Sequence, residues 1–372
     1  MNHPLLSKLT LVIPTYNRQS YALRSMRYWS GQDLTVHVMD GSPLPISSDR
    51  LAGLAGNIHY HHLPVSLVER LETAIGLIST EYVTIGGDDE FFIPSGLEAC
   101  ISELDLQPEL VSCMGRCLRF EYAAKGVIGN ADYLRMEDYS ILQRDPVDRM
   151  VAHMSAYTCS TIYSVVRSPV WQRSFLTFVK KEFPVYAIGE LQVELAICYQ
   201  GKSRVLPVLM WMRSGEAPPT RGTDPSLCPE KTFASWWIDP SKKTERAEFL
   251  AIMGATLAEN GAIAEEISAG VKISLDIYLH SSVERRLSLS RRGAFQKLKT
   301  KAVGYLPPPL KVIARNTLRP FFKSLRHAPR PIMKAAKMLA ATGVQVDFEE
   351  LAKIESIVLL FHSKGKTAVQ RG

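Results

Sequence analysis

Apolar residues in the first hundred positions come in short runs, each ending abruptly in polar ones. Leu9–Ile13 stops at Pro14-Thr15-Tyr16-Asn17-Arg18, Leu34–Met39 at Asp40-Gly41-Ser42-Pro43, and Glu81–Ile85 at Gly86-Gly87-Asp88-Asp89-Glu90. Near-continuous apolar runs of this length predict buried parallel strands. Asn57–His61 reads as a further strand. Between the strands the spacing turns helical. Arg18–Trp29 predicts one helix, and Leu67, Leu71, Ala74, Ile75 and Ile78 lie on one side of another. Pro94 opens a third helix, at a position where its missing N–H does no harm. Alternating strand and helix predicts an α/β fold, a mostly parallel sheet flanked by helices.

Further on, Leu110–Tyr122 and Thr158–Arg167 read as strands, and Ser168-Pro169 starts a helix. Glu190–Tyr199 reads as a helix capped by Gly201, and Arg204–Arg213 as a last strand. A Pro-, Gly-, Thr- and Asp-rich stretch over 217–229 reads as a boundary. Long helical patterns follow it, interrupted by Pro307-Pro308-Pro309 and Pro329-Arg330-Pro331. A chain of 372 residues accommodates two domains. The expected division is an α/β catalytic domain over 1–225 and a helical C-terminal region over 226–372.

Charge changes the picture of that second region. The segment 285–337 holds 15 Lys and Arg and no Asp or Glu, which leaves 29 basic against 37 acidic residues elsewhere. An acidic body thus carries a basic stretch interleaved with Leu306, Leu310, Val312, Ile313, Leu318, Phe321, Phe322 and Leu325. That pattern suits an anionic membrane surface. It equally suits a helical subdomain with a solvated basic face. No nucleic-acid-binding motif appears. Six cysteines are too few for a disulfide framework. Cys113 and Cys117, which a helix would bring together, are expected to be buried free thiols. No apolar signal segment opens the chain, and cytoplasm is the expected compartment, with peripheral attachment at the inner face of a membrane through 285–337.

Ligands of open α/β sheets bind beyond the carboxyl ends of the strands. Three consecutive carboxylates at one such end repel one another unless a cation or arginine neutralises them. Their hard oxygens suit Mg²⁺ or Mn²⁺, which commonly bridge a carboxylate to substrate phosphates. Gly86 and Gly87 let backbone approach a ligand closely. Taken alone, the triplet reads equally well as a solvated acidic turn.

Leu11-Val12-Ile13-Pro14-Thr15-Tyr16-Asn17-Arg18, Asp40-Gly41-Ser42 and Asp88-Asp89-Glu90 together resemble the successive strand ends of the GT-A-fold, family 2 glycosyltransferases. The third matches the DxD-type metal motif in the form of a bacterial subgroup reading Asp-Asp-Asp, with Glu90 in place of the last aspartate. The resemblance covers about Leu9 to Arg213. It implies an inverting transfer of sugar from a nucleotide-diphosphate donor to a glycan or lipid-linked acceptor, in surface polysaccharide synthesis. By the same resemblance Pro14, Thr15, Tyr16, Arg18, Asp40, Gly41, Asp88 and Asp89 contact the donor, and Asp88 and Glu90 hold Mn²⁺ or Mg²⁺.

An inverting transfer also needs a general base. The resembled enzymes carry it at the start of a late helix, here Glu190, with Glu194 one turn on along the same face. Leu191 breaks the acidic pair usual there, and an acid in a first helical turn also complements the helix dipole. Two other readings stay open: a catalytically inactive relative serving as a basic membrane scaffold, and a nucleotidyltransferase, though the latter's Gly-rich basic loop is absent near the first strand. His59 and His61 share a strand face beside His62 without an evident third metal ligand. Trp236 and Trp237 read as core or as a stacking surface, and Arg213 as a phosphate contact or a surface residue.

Overall fold

The computed structural model describes residues 3–123, 126–133, 136–137, 139–158, 161–216, 232–258, 262–281 and 329–369. The first half runs β1 (Leu9–Thr15), α1 (Gln19–Trp29), β2 (Thr35–Asp40), the short α2 (Ser48–Leu51), β3 (Ile58–His62), α3 (Leu67–Leu77), β4 (Tyr82–Ile85), β5 (Phe91–Phe92), α4 (Pro94–Leu106), β6 (Leu110–Ala123) and β7 (Gly126–Asp132). Then come β8 (Ser140–Ile141), α5 (Pro146–Ser155), β9 (Val165–Arg167), α6 (Ser168–Val179), α7 (Tyr186–Gln200) and β10 (Lys202–Ser214). The last part holds α8 (Phe233–Ile238), α9 (Lys243–Leu257), α10 (264–281), β11 (Arg330–Pro331), α11 (Ile332–Ala340) and α12 (Phe348–Val369).

One sheet unites the described strands in the order β11-β7-β6-β9-β4-β1-β2-β3, with β10 beside β6 and carrying β5 and β8. The block β3-β2-β1-β4 is parallel throughout. Following the pairings outward, β6, β10 and β11 run the same way, and β5, β7, β8 and β9 run against them. The sheet is therefore mostly parallel, as the sequence pattern predicts.

Side chains of a strand alternate between faces, and here both faces are covered. On β1, Leu9, Leu11 and Ile13 join one apolar core while Val12 joins another; Val36 and Val38 of β2 follow the first, Met39 the second. This is why β1 reads as continuously apolar. α7 is buried nearly all round, with Leu191, Val193, Leu195, Ala196, Ile197 and Cys198 at 2% exposure or less. It packs against α5, α6 and α9.

Several elements differ from the sequence expectation. Cys113 and Cys117 lie on strand β6, not on a helix; both are buried and free, as are Cys100 and Cys198. Among the described residues of the strand expected over 158–167, Val165–Arg167 is strand, while Thr161–Ser164 turns about a buried carboxylate of α7. α7 begins at Tyr186, so Glu190 sits in its second turn. Gly189 hides that start in the sequence. A Cβ there would lie 2.0 Å from the Phe178 ring, so glycine is what lets α6 and α7 meet.

The C-terminal residues divide between two cores. Phe233, Trp236, Trp237 and Phe249 pack with α5 and α7. Ile332, Leu339, Leu351, Ile354 and Val358 return to the core beneath β1, β6 and β10. Of the basic segment, 285–328 lies outside the described residues. No helix among the described residues is long and apolar enough to cross a membrane.

Candidate active site

The sheet order reverses at β1, with β2 on one side and β4 on the other. The loops after these three strands therefore open onto the crevice where α/β sheets bind ligands. The backbone ties them together: Gly41 N donates to Thr15 O at 2.9 Å and Gly86 N to Val12 O at 3.0 Å. Arg70 of α3 is 1% exposed. Its guanidinium donates to Thr15 O at 2.6 Å and Met39 O at 3.2 Å. A Cβ on Gly41 would strike that guanidinium at 2.6 Å. Arg70 belongs to no motif in the sequence. Its signal was position: three residues after Leu67 and four before Ala74, it lies on the apolar side of α3 where a charge needs a partner.

Asp88 is 4% exposed and accepts the Thr15 hydroxyl at 2.6 Å. Arg18 Nη2 lies 2.5 Å from Asp88 and 2.6 Å from Asp89. Glu90 turns elsewhere: its carboxylate accepts Trp211 Nε1 at 3.0 Å and Gly87 N at 3.3 Å. Burial raises the Asp88 pKa, with Arg18 opposing and Asp89 adding to the rise. Burial, with Asp89 beside it, pushes Glu90 up to about 7. Tyr163 and Tyr133 stack on Trp211, their centroids 4.6 and 5.6 Å away. Arg213 caps Tyr133 at 5.3 Å and pairs with Asp132 at 3.0 Å.

Asp40 is fully buried. It accepts Gln19 Nε2 at 2.8 Å, the Tyr60 hydroxyl at 2.7 Å and Ser42 N at 2.8 Å. Pro14 and Tyr16 are partly exposed beside it, and Asn17 holds a left-handed conformation, φ 53°.

The two acids of α7 differ sharply. Glu190 is partly exposed. Glu194 is fully buried; it accepts the Thr161 hydroxyl and Ile162 N (3.3 Å) and meets His153 Nε2 at 2.8 Å. His153, itself at 0% exposure, hydrogen-bonds the Tyr139 hydroxyl through Nδ1. A side chain so enclosed touches no substrate. It holds the 161–164 turn whose Tyr163 stacks on Trp211, the indole that holds Glu90.

The remaining candidates have structural partners. His37, overlooked in the sequence, joins the histidine group: its Nδ1 lies 3.0 Å from His61 Nε2 and its ring stacks on His59. His62 bonds Ser42 O at 2.8 Å. Both Trp236 and Trp237 are core residues whose indoles donate to Glu245 and Asp276. Among the described residues, no three His, Cys, Asp or Glu side chains are grouped to hold a metal ion.

No protein-family profile matches the chain, and no curated protein does. Among solved structures, S. aureus TarS 1–349 aligns at 13% identity and a TM-score of 0.40 over 76% of this chain and 92% of that one. The same protein in complex with UDP-GlcNAc aligns at 13% identity and 0.46, over 73% of each chain. A further TarS structure aligns at 13% and 0.38, over 74% of this chain and 54% of that one. Likeness of this degree says nothing about the chemistry of the site.

Proposed function

We propose that this chain is a glycosyltransferase that moves a sugar from a nucleotide-diphosphate donor to a hydroxyl of a glycan or lipid-linked acceptor, with inversion, in polysaccharide synthesis. One observation carries the reading: the Asp88–Glu90 carboxylates stand at the end of β4 across from the Thr15–Arg18 loop of β1, at the reversal of strand order. In this reading the donor's nucleoside lies along Pro14, Tyr16 and Gly41. Asp40 sets that wall through Gln19 and Ser42.

The residues fit a divalent cation. Mg²⁺ and Mn²⁺ sites in nucleotide enzymes use one or two carboxylates, the rest of the shell being waters and substrate phosphates. A three-ligand protein cluster is therefore not required. Asp88 would hold the ion, with Glu90 joining it through Oε1, since Trp211 Nε1 and Gly87 N both bond its Oε2, and Arg18 already neutralises part of the charge at Asp88 and Asp89. When bound, such an ion supplies Lewis-acid neutralisation of the departing diphosphate. Thr15 keeps the Asp88 carboxylate oriented.

Glu190 is the general base in this proposal. It takes the proton from the acceptor hydroxyl as that oxygen bonds to the anomeric carbon from the face opposite the diphosphate. The support is its exposure: of the two acids on this face of α7, Glu194 has none. Docking of 285–337 on anionic lipid would bring the enzyme to a lipid-linked acceptor. The direct test is calorimetric titration with UDP-, GDP- and dTDP-sugars with and without Mn²⁺, followed by donor hydrolysis. If no sugar nucleotide binds at millimolar concentration in either condition, the proposal fails.

A further inference from the structure

Arg24 of α1 and the C-terminal helix α12 have no part in the site as described above, yet they meet behind its acidic loop. Arg24 is 4% exposed, and its Nη2 donates to Asp89 O at 2.9 Å. Its Nη1 lies 2.7 Å from Glu216 Oε2, a side chain only 1% exposed. The other Glu216 oxygen bonds His362 Nε2 of α12 at 2.6 Å. The guanidinium is enclosed by three rings, with Phe361, Tyr21 and Phe91 centroids 4.6, 4.9 and 5.0 Å away. His362 stacks on Tyr122 at 4.2 Å. Four distant pieces of sequence thus converge on one backbone carbonyl between Asp88 and Glu90.

A loop of three adjacent carboxylates after two glycines has little intrinsic preference for one conformation. Something must fix the carbonyl between the carboxylates that would face a ligand. A buried arginine does so only if its own charge is compensated and its fork is aimed. Glu216 supplies the charge, and His362 with the aromatic enclosure supplies the aim. We propose that Arg24 is a positioning residue of the donor site, aimed by Glu216 and His362, so that the C-terminal helix sets the acidic loop for a nucleoside diphosphate. This rests on the reading of the site given above.

The test measures binding of UDP, GDP and dTDP, each with Mn²⁺, by calorimetry to the full chain. It compares wild type with Arg24→Lys, Glu216→Gln, His362→Ala and, as control, Val358→Ala. Val358 is a fully buried core residue one turn before His362. Its truncation loosens α12 without touching the relay. A lysine keeps the charge but cannot reach Asp89 O and Glu216 together, so Arg24→Lys should weaken the nucleotide that wild type binds by about tenfold. Glu216→Gln and His362→Ala should weaken it several-fold. Val358→Ala should lower the melting temperature while weakening binding less than His362→Ala does. Where turnover is measurable, the relay variants should raise donor KM more than they lower kcat. If wild type binds no nucleoside diphosphate, the donor-site reading itself fails. If wild type binds and the relay variants, still melting cooperatively, bind equally well, the inference is overturned. It is also overturned if Val358→Ala weakens binding as much as His362→Ala. Should Arg24→Lys not fold, the part-exposed His362 (side chain 23% exposed) carries the test.

Discussion

Replacing Glu194 separates chemistry from architecture on α7. Its carboxylate serves three enclosed partners: the Thr161 hydroxyl, Ile162 N and His153 Nε2. Glu194→Leu preserves volume but leaves all three unsatisfied. Each such group costs about 1–3 kcal/mol. These groups share one network, so their costs do not simply add, and together they come to about 3–5 kcal/mol. That range is the expected loss, a large part of the total stability of a domain. Glu194→Gln keeps the shape and one carbonyl acceptor and should cost about 1–2 kcal/mol. Glu190→Gln, at a partly exposed position, should change stability less than Glu194→Gln does. Yet it should lower turnover about 10²–10⁴-fold, the usual worth of a positioned acid–base group. The assay is urea unfolding followed by tryptophan fluorescence, run beside sugar transfer at saturating donor. A Glu194→Gln enzyme that unfolds like wild type but has lost turnover would refute the structural assignment. Normal turnover in Glu190→Gln would remove the base.

Asp88→Asn should abolish Mn²⁺-dependent donor binding while the far-ultraviolet circular dichroism spectrum stays native; unchanged cation dependence in calorimetry refutes the metal assignment. Burial, with His61 and His59 nearby, lowers the His37 pKa to about 4. The unfolded chain, near 6.5, then binds the extra proton first, so stability present above pH 6.5 is lost as pH falls towards 4. From the linkage relation about 2 kcal/mol should be gone by pH 5, and denaturation midpoints of His37→Gln should show a shallower slope over that range. Gly96→Ala would set a Cβ 2.4 Å from Leu209 O, forcing α4 off β10, and should cost about 1–3 kcal/mol in urea unfolding. Glutamine at Arg285, Arg286, Arg291 and Arg292 should reduce low-salt sedimentation with anionic vesicles, leaving in place the 332–358 core contacts that truncation would remove. Equal sedimentation of both proteins would sink the lipid assignment to those residues.

The parallel strands β1, β2 and β4 were legible because they are buried on both faces, and a doubly buried strand writes itself as an apolar run. The loops after Ile13, Met39 and Ile85 were legible for the same reason: polar residues stop such a run only where the sheet ends. Glu190 and Glu194 were not separable, since helical periodicity gives them one face. Only the packing of α5 and the 161–164 turn enclosed one and left the other partly open. The strand expected over 158–167 is present at Val165–Arg167, and Thr161–Ser164 turns instead because a buried carboxylate distant in sequence outweighs local propensity there. Arg24, Glu216 and His362 carry no mutual signal along the chain, being separated by up to 338 positions. The sequence by itself determined β1 to β4, β6 and β10 and where the parallel strands present polar loops, because burial periodicity is a local property, whereas the short or paired strands β5, β7, β8 and β11 carry no such run. Only the tertiary structure decided which charged side chains meet, because each ion pair at this site joins residues whose spacing no helix or strand repeat encodes.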